Sequence, residues 1–112
     1  MAYRLLTING SAGNATDTAV YTVPAGESVI IGNLTAYNST GGGLTLTIKI
    51  KENDGTSSVL CTAVALAATT AVSFSGGSTI RITPITLNPG NQLIANGSGS
   101  GITVRGSGLS FS

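Results

Sequence analysis

From Leu44 to Lys51 the chain alternates without a break: Leu44, Leu46, Ile48 and Ile50 are apolar, while Thr45, Thr47, Lys49 and Lys51 are polar. Successive side chains of an extended strand point to opposite faces. This period of two therefore predicts a half-buried strand with the four apolar residues on a core. The same alternation recurs in Ile80-Arg81-Ile82-Thr83 and Ile102-Thr103-Val104-Arg105, each with an arginine on the water-facing side. Residues 3–8 and 19–23 are β-branched or aromatic runs bounded by Gly, Asn, Asp or Pro, which also predicts strands. Residues 29–37 form another, and its opening Val29-Ile30-Ile31 is apolar enough for burial on both faces. Residues 92–96 place Leu93 and Ala95 on one face and Ile94 on the other, and residues 109–111 predict a closing strand.

The punctuation between these runs is turn chemistry. Asn53-Asp54-Gly55 predicts a hairpin of the type I′ class, because Asp-Gly supplies positive φ. Asn88-Pro89-Gly90-Asn91 places Pro and Gly at the centre of a type II turn, and Pro24-Ala25-Gly26 turns one strand into the next. Gly41-Gly42-Gly43 and Gly97-Ser98-Gly99-Ser100-Gly101 are short flexible connections. The segment from Ser57 to Ala71 fits two patterns. Val59, Thr62, Ala63 and Leu66 have helical spacing, whereas Val59 with Cys61 and Val64 with Leu66 alternate; the Thr69-Thr70 and Val72-Ser73-Phe74 that follow favour strand. The total, roughly seven to nine short strands, predicts an all-β fold: an antiparallel β-sandwich, jelly-roll-like, with residues 1–112 as a single domain.

Composition changes the picture mainly by exclusion. Of the 112 residues only 8% are charged, net charge is +1, histidine is absent and there is one cysteine. No basic footprint marks a nucleic-acid or anionic-membrane partner. No imidazole is present for general-base catalysis or metal ligation, and no internal disulfide can form. The apolar start is cut off by Asn9-Gly10 before it reaches a secretory h-region, and no apolar run reaches the roughly 18–20 residues of a membrane span. The chain is expected to be soluble and unprocessed. Isolated soluble domains usually carry more charge than this, so a surface rich in Gly, Ser and Thr fits the interior of a large assembly better.

Candidate chemistry is sparse. Sequons at Asn14, Asn33, Asn38 and Asn96 are what a Ser/Thr-rich chain produces by chance, and Asn33 falls inside a predicted strand. The glycine stretches have neither dinucleotide nor P-loop spacing, and none precedes a helix. Glu52, Asn53 and Asp54 sit at one hairpin tip, too few and too close for a calcium loop. Asp17, Glu27, Glu52 and Asp54 are the only carboxylates, with no glycosidase-type pair across a cleft. Cys61 has no base to activate it and reads as a small buried hydrophobe. The expectation is no enzyme: no catalytic residues, no cofactor-binding residues and no metal ligands.

Tyr21-Thr22-Val23-Pro24-Ala25-Gly26-Glu27, the apolar strand after it, and then Asn33-Leu34-Thr35-Ala36-Tyr37-Asn38-Ser39-Thr40 resemble small virion structural proteins of tailed bacteriophages. Leu87-Asn88-Pro89-Gly90-Asn91-Gln92-Leu93 and Gly101-Ile102-Thr103-Val104-Arg105-Gly106-Ser107-Gly108 extend the likeness, which covers nearly all the chain from Ala19 onward. The resemblance implies a β-sandwich of the capsid decoration or cement type. Such a protein is made in the host bacterial cytoplasm, binds the major capsid protein on the outer capsid surface, and staples neighbouring capsomers as a homotrimer. The alternative it implies is a tail, baseplate or fibre component contacting other virion proteins or a host glycan. An enzyme or small-molecule binder is a third class, with only generic polar loops to support it. The expected contact segments are residues 2–8, residues 109–112 and a loop at 9–18 that orders on contact. Deleting the first eight or the last four residues is then expected to abolish shell binding.

Overall fold

In the computed structural model, which describes residues 3–74 and 82–112, these runs become ten strands. They are β1 (Tyr3–Ser11), β2 (Gly13–Asn14), β3 (Thr18–Thr22), β4 (Ser28–Asn38), β5 (Leu44–Lys51), β6 (Ser57–Leu66), β7 (Thr70–Ser73), β8 (Ile85–Leu87), β9 (Gln92–Gly97) and β10 (Ile102–Phe111). No helix occurs among the described residues, and the ambiguous segment forms β6, a turn and the first two residues of β7.

The strands form two sheets that pack face to face. In the first the order is β1, β10, β4, β7, with β8 also on β4; in the second it is β2, β9, β5, β6, with β3 also on β9. Every ladder is antiparallel except the two-residue contact of β2 with β9. Counting β2 with β3, and β7 with β8, as interrupted strands, the pairings nest. β1 pairs with β10, β3 with β9, β4 with β7 and β8, and β5 with β6. A long hairpin rolled up on itself gives this nesting, which is the jelly roll.

One core lies between the sheets. Leu46, Ile48, Ile102 and Val104, all predicted to point inward, are at most 1% exposed, and Leu44 and Ile50 are half-buried against the same cluster. Asn88-Pro89-Gly90-Asn91 forms its expected turn, with the Asn91 N–H on the Asn88 carbonyl at 3.0 Å and Gly90 at φ 82°. Glycine is also required where β10 crosses closest to β4. A Cβ on Gly108 would overlap the Ile30 carbonyl oxygen, at the bulge between Ser107 and Gly108.

Several expectations are corrected. Ile30 is 38% exposed, because among the described residues no element packs on the outer face of the first sheet and only Val29 and Ile31 turn inward. Ile80 and Arg81 lie outside the described residues, but Ile82 and Thr83 are not in a strand. Ile82 still packs against the core, partly buried, but Thr83 is buried too, and its hydroxyl donates to the Phe74 carbonyl at 3.1 Å. The 53–55 hairpin is not type I′. Gly55 alone there has positive φ (94°), the Gly55 N–H bonds the Glu52 carbonyl, and the Glu52 N–H bonds the Thr56 carbonyl. This is the three-residue loop closed by a left-handed glycine. Residues 102–105 and 109–111 belong to a single strand, β10, and the short β2 and β8 have no counterpart in the sequence reading. Thr47 does not simply face water: two residues of β6, Thr62 and Ala63, bulge opposite it, and its Oγ1 accepts the Ala63 N–H at 3.0 Å.

Candidate assembly surface

The two terminal segments that the sequence offered separately are neighbours in the fold. β1 is an edge strand whose register against β10 sets Leu5 opposite Leu109, and the next ladder sets Leu109 opposite Ile30. Leu6 and Ile8 point into the core, so Leu5 must point out, and it is 89% exposed. With Leu109 half-buried and Ile30 partly exposed, these three make an apolar row across the outer face of the first sheet. Sequence reasoning missed the row because its members come from three strands far apart in the chain.

This end of the sheet is fastened by one carboxylate. Glu27 Oε1 accepts from Arg4 Nη2 at 2.6 Å and from the hydroxyl of buried Ser110, joining the turn before β4 to β1 and β10. The Ser110 hydroxyl, and after it Arg4, holds the Glu27 carboxyl below its ordinary value.

The 9–18 segment is not a loose loop. Residues 9–11 continue β1, the Ala12 N–H bonds the Ile102 carbonyl at 3.0 Å, and the Ala15 N–H bonds the Gly97 carbonyl at 2.7 Å. Asp17 then receives Asn96 Nδ2 at 2.9 Å and Lys49 Nζ at 3.0 and 3.1 Å, which ties it to β9 and β5. These bonds, that of Asn96 foremost, lower the Asp17 pKa.

No family model matches the chain, and no curated protein matches it by sequence. Its fold is similar to those of viral capsid proteins. VP2 of infectious bursal disease virus, solved in derived T=1 particles, superposes with a TM-score of 0.55 at 19% identity over 96% of this chain. A chain from the structure of the Gx strain of that virus gives 0.53 at 20% identity, also over 96%. A pentameric capsid protein from metagenomic phage sequences gives 0.40 at 17% identity over 93%. The chain spans 31% and 32% of the two infectious bursal disease virus chains and 58% of the phage protein.

The remaining sequence candidates fall elsewhere. Asn38 is fully buried, with its amide nitrogen within 3.3 Å of the Gly42, Leu66 and Ala67 carbonyls, so no glycan could be attached there in the folded chain. Cys61 is half-buried on β6, and burial pushes its thiol above the ordinary value. Glu52, Asn53 and Asp54 line a shallow hollow at the hairpin tip with Lys51 and Gln92. Among the described residues, no three acidic or Cys side chains gather where a metal could be held.

Proposed function

We propose that the chain is a structural protein of a virion, residues 1–112 acting as one jelly-roll domain without catalytic residues, cofactor or metal. In this reading it is a decoration or cement protein. It sits on the outer capsid surface after synthesis in the host bacterial cytoplasm, and as a homotrimer it staples neighbouring capsomers through the major capsid protein. The observation that carries the reading is the jelly-roll sandwich, on which VP2 of infectious bursal disease virus superposes over 96% of the chain. The sparse charge of the chain supports it, since hydroxyl and amide groups that find hydrogen-bond partners cost less to cover than charges do. The row Leu5–Leu109–Ile30 is the contact the geometry favours. A cyclic trimer needs two different patches to meet on each chain, and the free edge of β1 next to this row supplies one of them. Three linked copies then hold several shell subunits at once, each bound contact raising the effective concentration of the next.

Truncation does not test this surface cleanly, because removing residues 1–8 would strip Leu6 and Ile8 from the core. The substitution Leu5→Glu is the sharper probe, since that side chain lies almost wholly in water. Wild-type protein should co-sediment with purified shells in low salt and in about 1 M salt alike, because apolar burial is not screened. Leu5→Glu should fold and fail to bind. Quantitative mass spectrometry of particles should find hundreds of copies. A few copies per particle, or loss of wild-type binding in high salt, would overturn the reading.

A further inference from the structure

At the other end of the same outer face, away from the apolar row, four side chains form a square. The register of β4 with β10 sets Thr35 opposite Arg105 and Tyr37 opposite Thr103. Together they line a hollow of about 510 Å³, within the size range of small-molecule sites. Ser11 on β1 and Ala71 on β7 continue the Thr103–Tyr37 row, and Asn9 on β1 and Ser73 on β7 continue the Arg105–Thr35 row, so Tyr37 and Arg105 are the two largest side chains around the hollow. These two are diagonal neighbours, roughly 7–8 Å apart at the backbone, a slot the width of one pyranose ring. Tyr37 is 42% exposed, an unusual position for an aromatic ring with no core to fill.

The charge of the site is uncompensated. The ion pairs among the described residues are Arg4 with Glu27 and Lys49 with Asp17, and neither involves Arg105. The other two carboxylates, Glu52 and Asp54, are at the hairpin after β5 in the opposite sheet. Arg105 therefore presents a planar five-donor fork to solvent with no described carboxylate paired to it. Its natural complement is a single carboxylate, bound through two parallel N–H···O bonds. A phosphate nest is not available here, because such nests use free backbone N–H groups. β10 lies between β1 and β4, and β4 between β10 and β7, so the backbone under the hollow is committed to the ladders. Recognition must come from side chains: one guanidinium, one aromatic face and three hydroxyls.

From this we infer that the hollow binds the carboxylate-bearing sugar of an acidic glycan, the pyranose ring packed on Tyr37, its carboxylate on Arg105 and its hydroxyls on Thr35 and Thr103. The inference goes beyond the shell-binding reading and does not depend on it. Sialic acids and hexuronic acids share this chemistry, and the test separates them. Saturation-transfer NMR on the full chain would use sialyllactose, trigalacturonate, lactose and acetate. Signal from either acidic glycan, with weaker response to lactose and to acetate, is the expected result, and the glycan that binds identifies the source. Arg105→Ala should weaken that binding about tenfold or more, since a charge-assisted hydrogen bond contributes at least that, and Tyr37→Ala should weaken it too, through the lost packing of the ring. Arg105→Lys should fall between, keeping charge without the fork, and Val59→Ser on the opposite sheet should bind as wild type. All variants should retain the wild-type far-UV spectrum. Equal response to lactose or acetate, no response to either acidic glycan, or unchanged binding by Arg105→Ala would overturn the proposal.

Discussion

Replacing Asn38 by alanine removes the polar clamp that closes one end of the sandwich. Its Nδ2 donates to the Gly42 carbonyl at 2.8 Å, the Leu66 carbonyl at 3.0 Å and the Ala67 carbonyl at 3.3 Å. Its Oδ1 accepts from the Thr40 amide at 2.9 Å and the Thr40 hydroxyl at 2.6 Å. One fully buried side chain thus holds the β4–β5 connection against the turn between β6 and β7. In the alanine variant the bond to the Leu66 carbonyl is the buried one lost, and an orphaned buried acceptor costs about 1–3 kcal/mol. The bond to the Thr40 amide adds about 0.5–1.5 kcal/mol, since water can partly replace it at this less buried position. The expected loss is about 2–4 kcal/mol, a large share of the roughly 5–15 kcal/mol typical of a domain. Urea denaturation followed by far-UV circular dichroism measures it as a lower midpoint with unchanged slope. Asn38→Asp sharpens the test, because a carboxylate turns acceptor oxygens toward three carbonyls. Burial and those carbonyls raise its folded pKa above the unfolded value, so the variant is least destabilised at low pH and loses stability as pH rises through the folded pKa. An alanine variant within about 0.5 kcal/mol of wild type, or an aspartate variant indifferent to pH, would refute the clamp; normal surface substitutions fall inside that margin.

Ile48→Ala, at a site 1% exposed, should cost about 2–5 kcal/mol, whereas Thr47→Ala should cost about 0.5–1.5 kcal/mol through its lost bond to the Ala63 amide; equal losses would mean the strand phase is wrong. Cys61 should react slowly with iodoacetamide at neutral pH and faster as pH rises past the ordinary thiol range, because burial disfavours its thiolate. Rapid labelling of the native protein at pH 7 would contradict this. Asp17 has a folded pKa below its ordinary 3.8, so its contribution is present above that value and lost as pH falls through the folded pKa. Asp17→Asn should flatten that acid limb of the stability profile, and an unchanged limb would place the acid sensitivity elsewhere.

What the sequence determined by itself was local. Alternation placed β5 to the residue, and the inward positions of β5 and the start of β10 follow from a side-chain period of two, which needs no partner strand to be read. Asn88-Pro89-Gly90-Asn91 was equally legible, because proline and glycine carry their φ preferences with them. Where the partner strand decides, the sequence is silent. β8 is three residues long and becomes a strand only because residues 29–31 of β4 offer it a ladder. The bulge opposite Thr47 and the exposure of Ile30 depend on register and on which face is covered, and neither is a property of one segment. The same reason governs both surfaces. Leu5, Ile30 and Leu109 become a row, and Thr35, Tyr37, Thr103 and Arg105 a hollow, only after β10 has inserted between β1 and β4. Strand pairing joins residues distant in the chain, and nothing written locally in any of the three strands says which neighbours it will have.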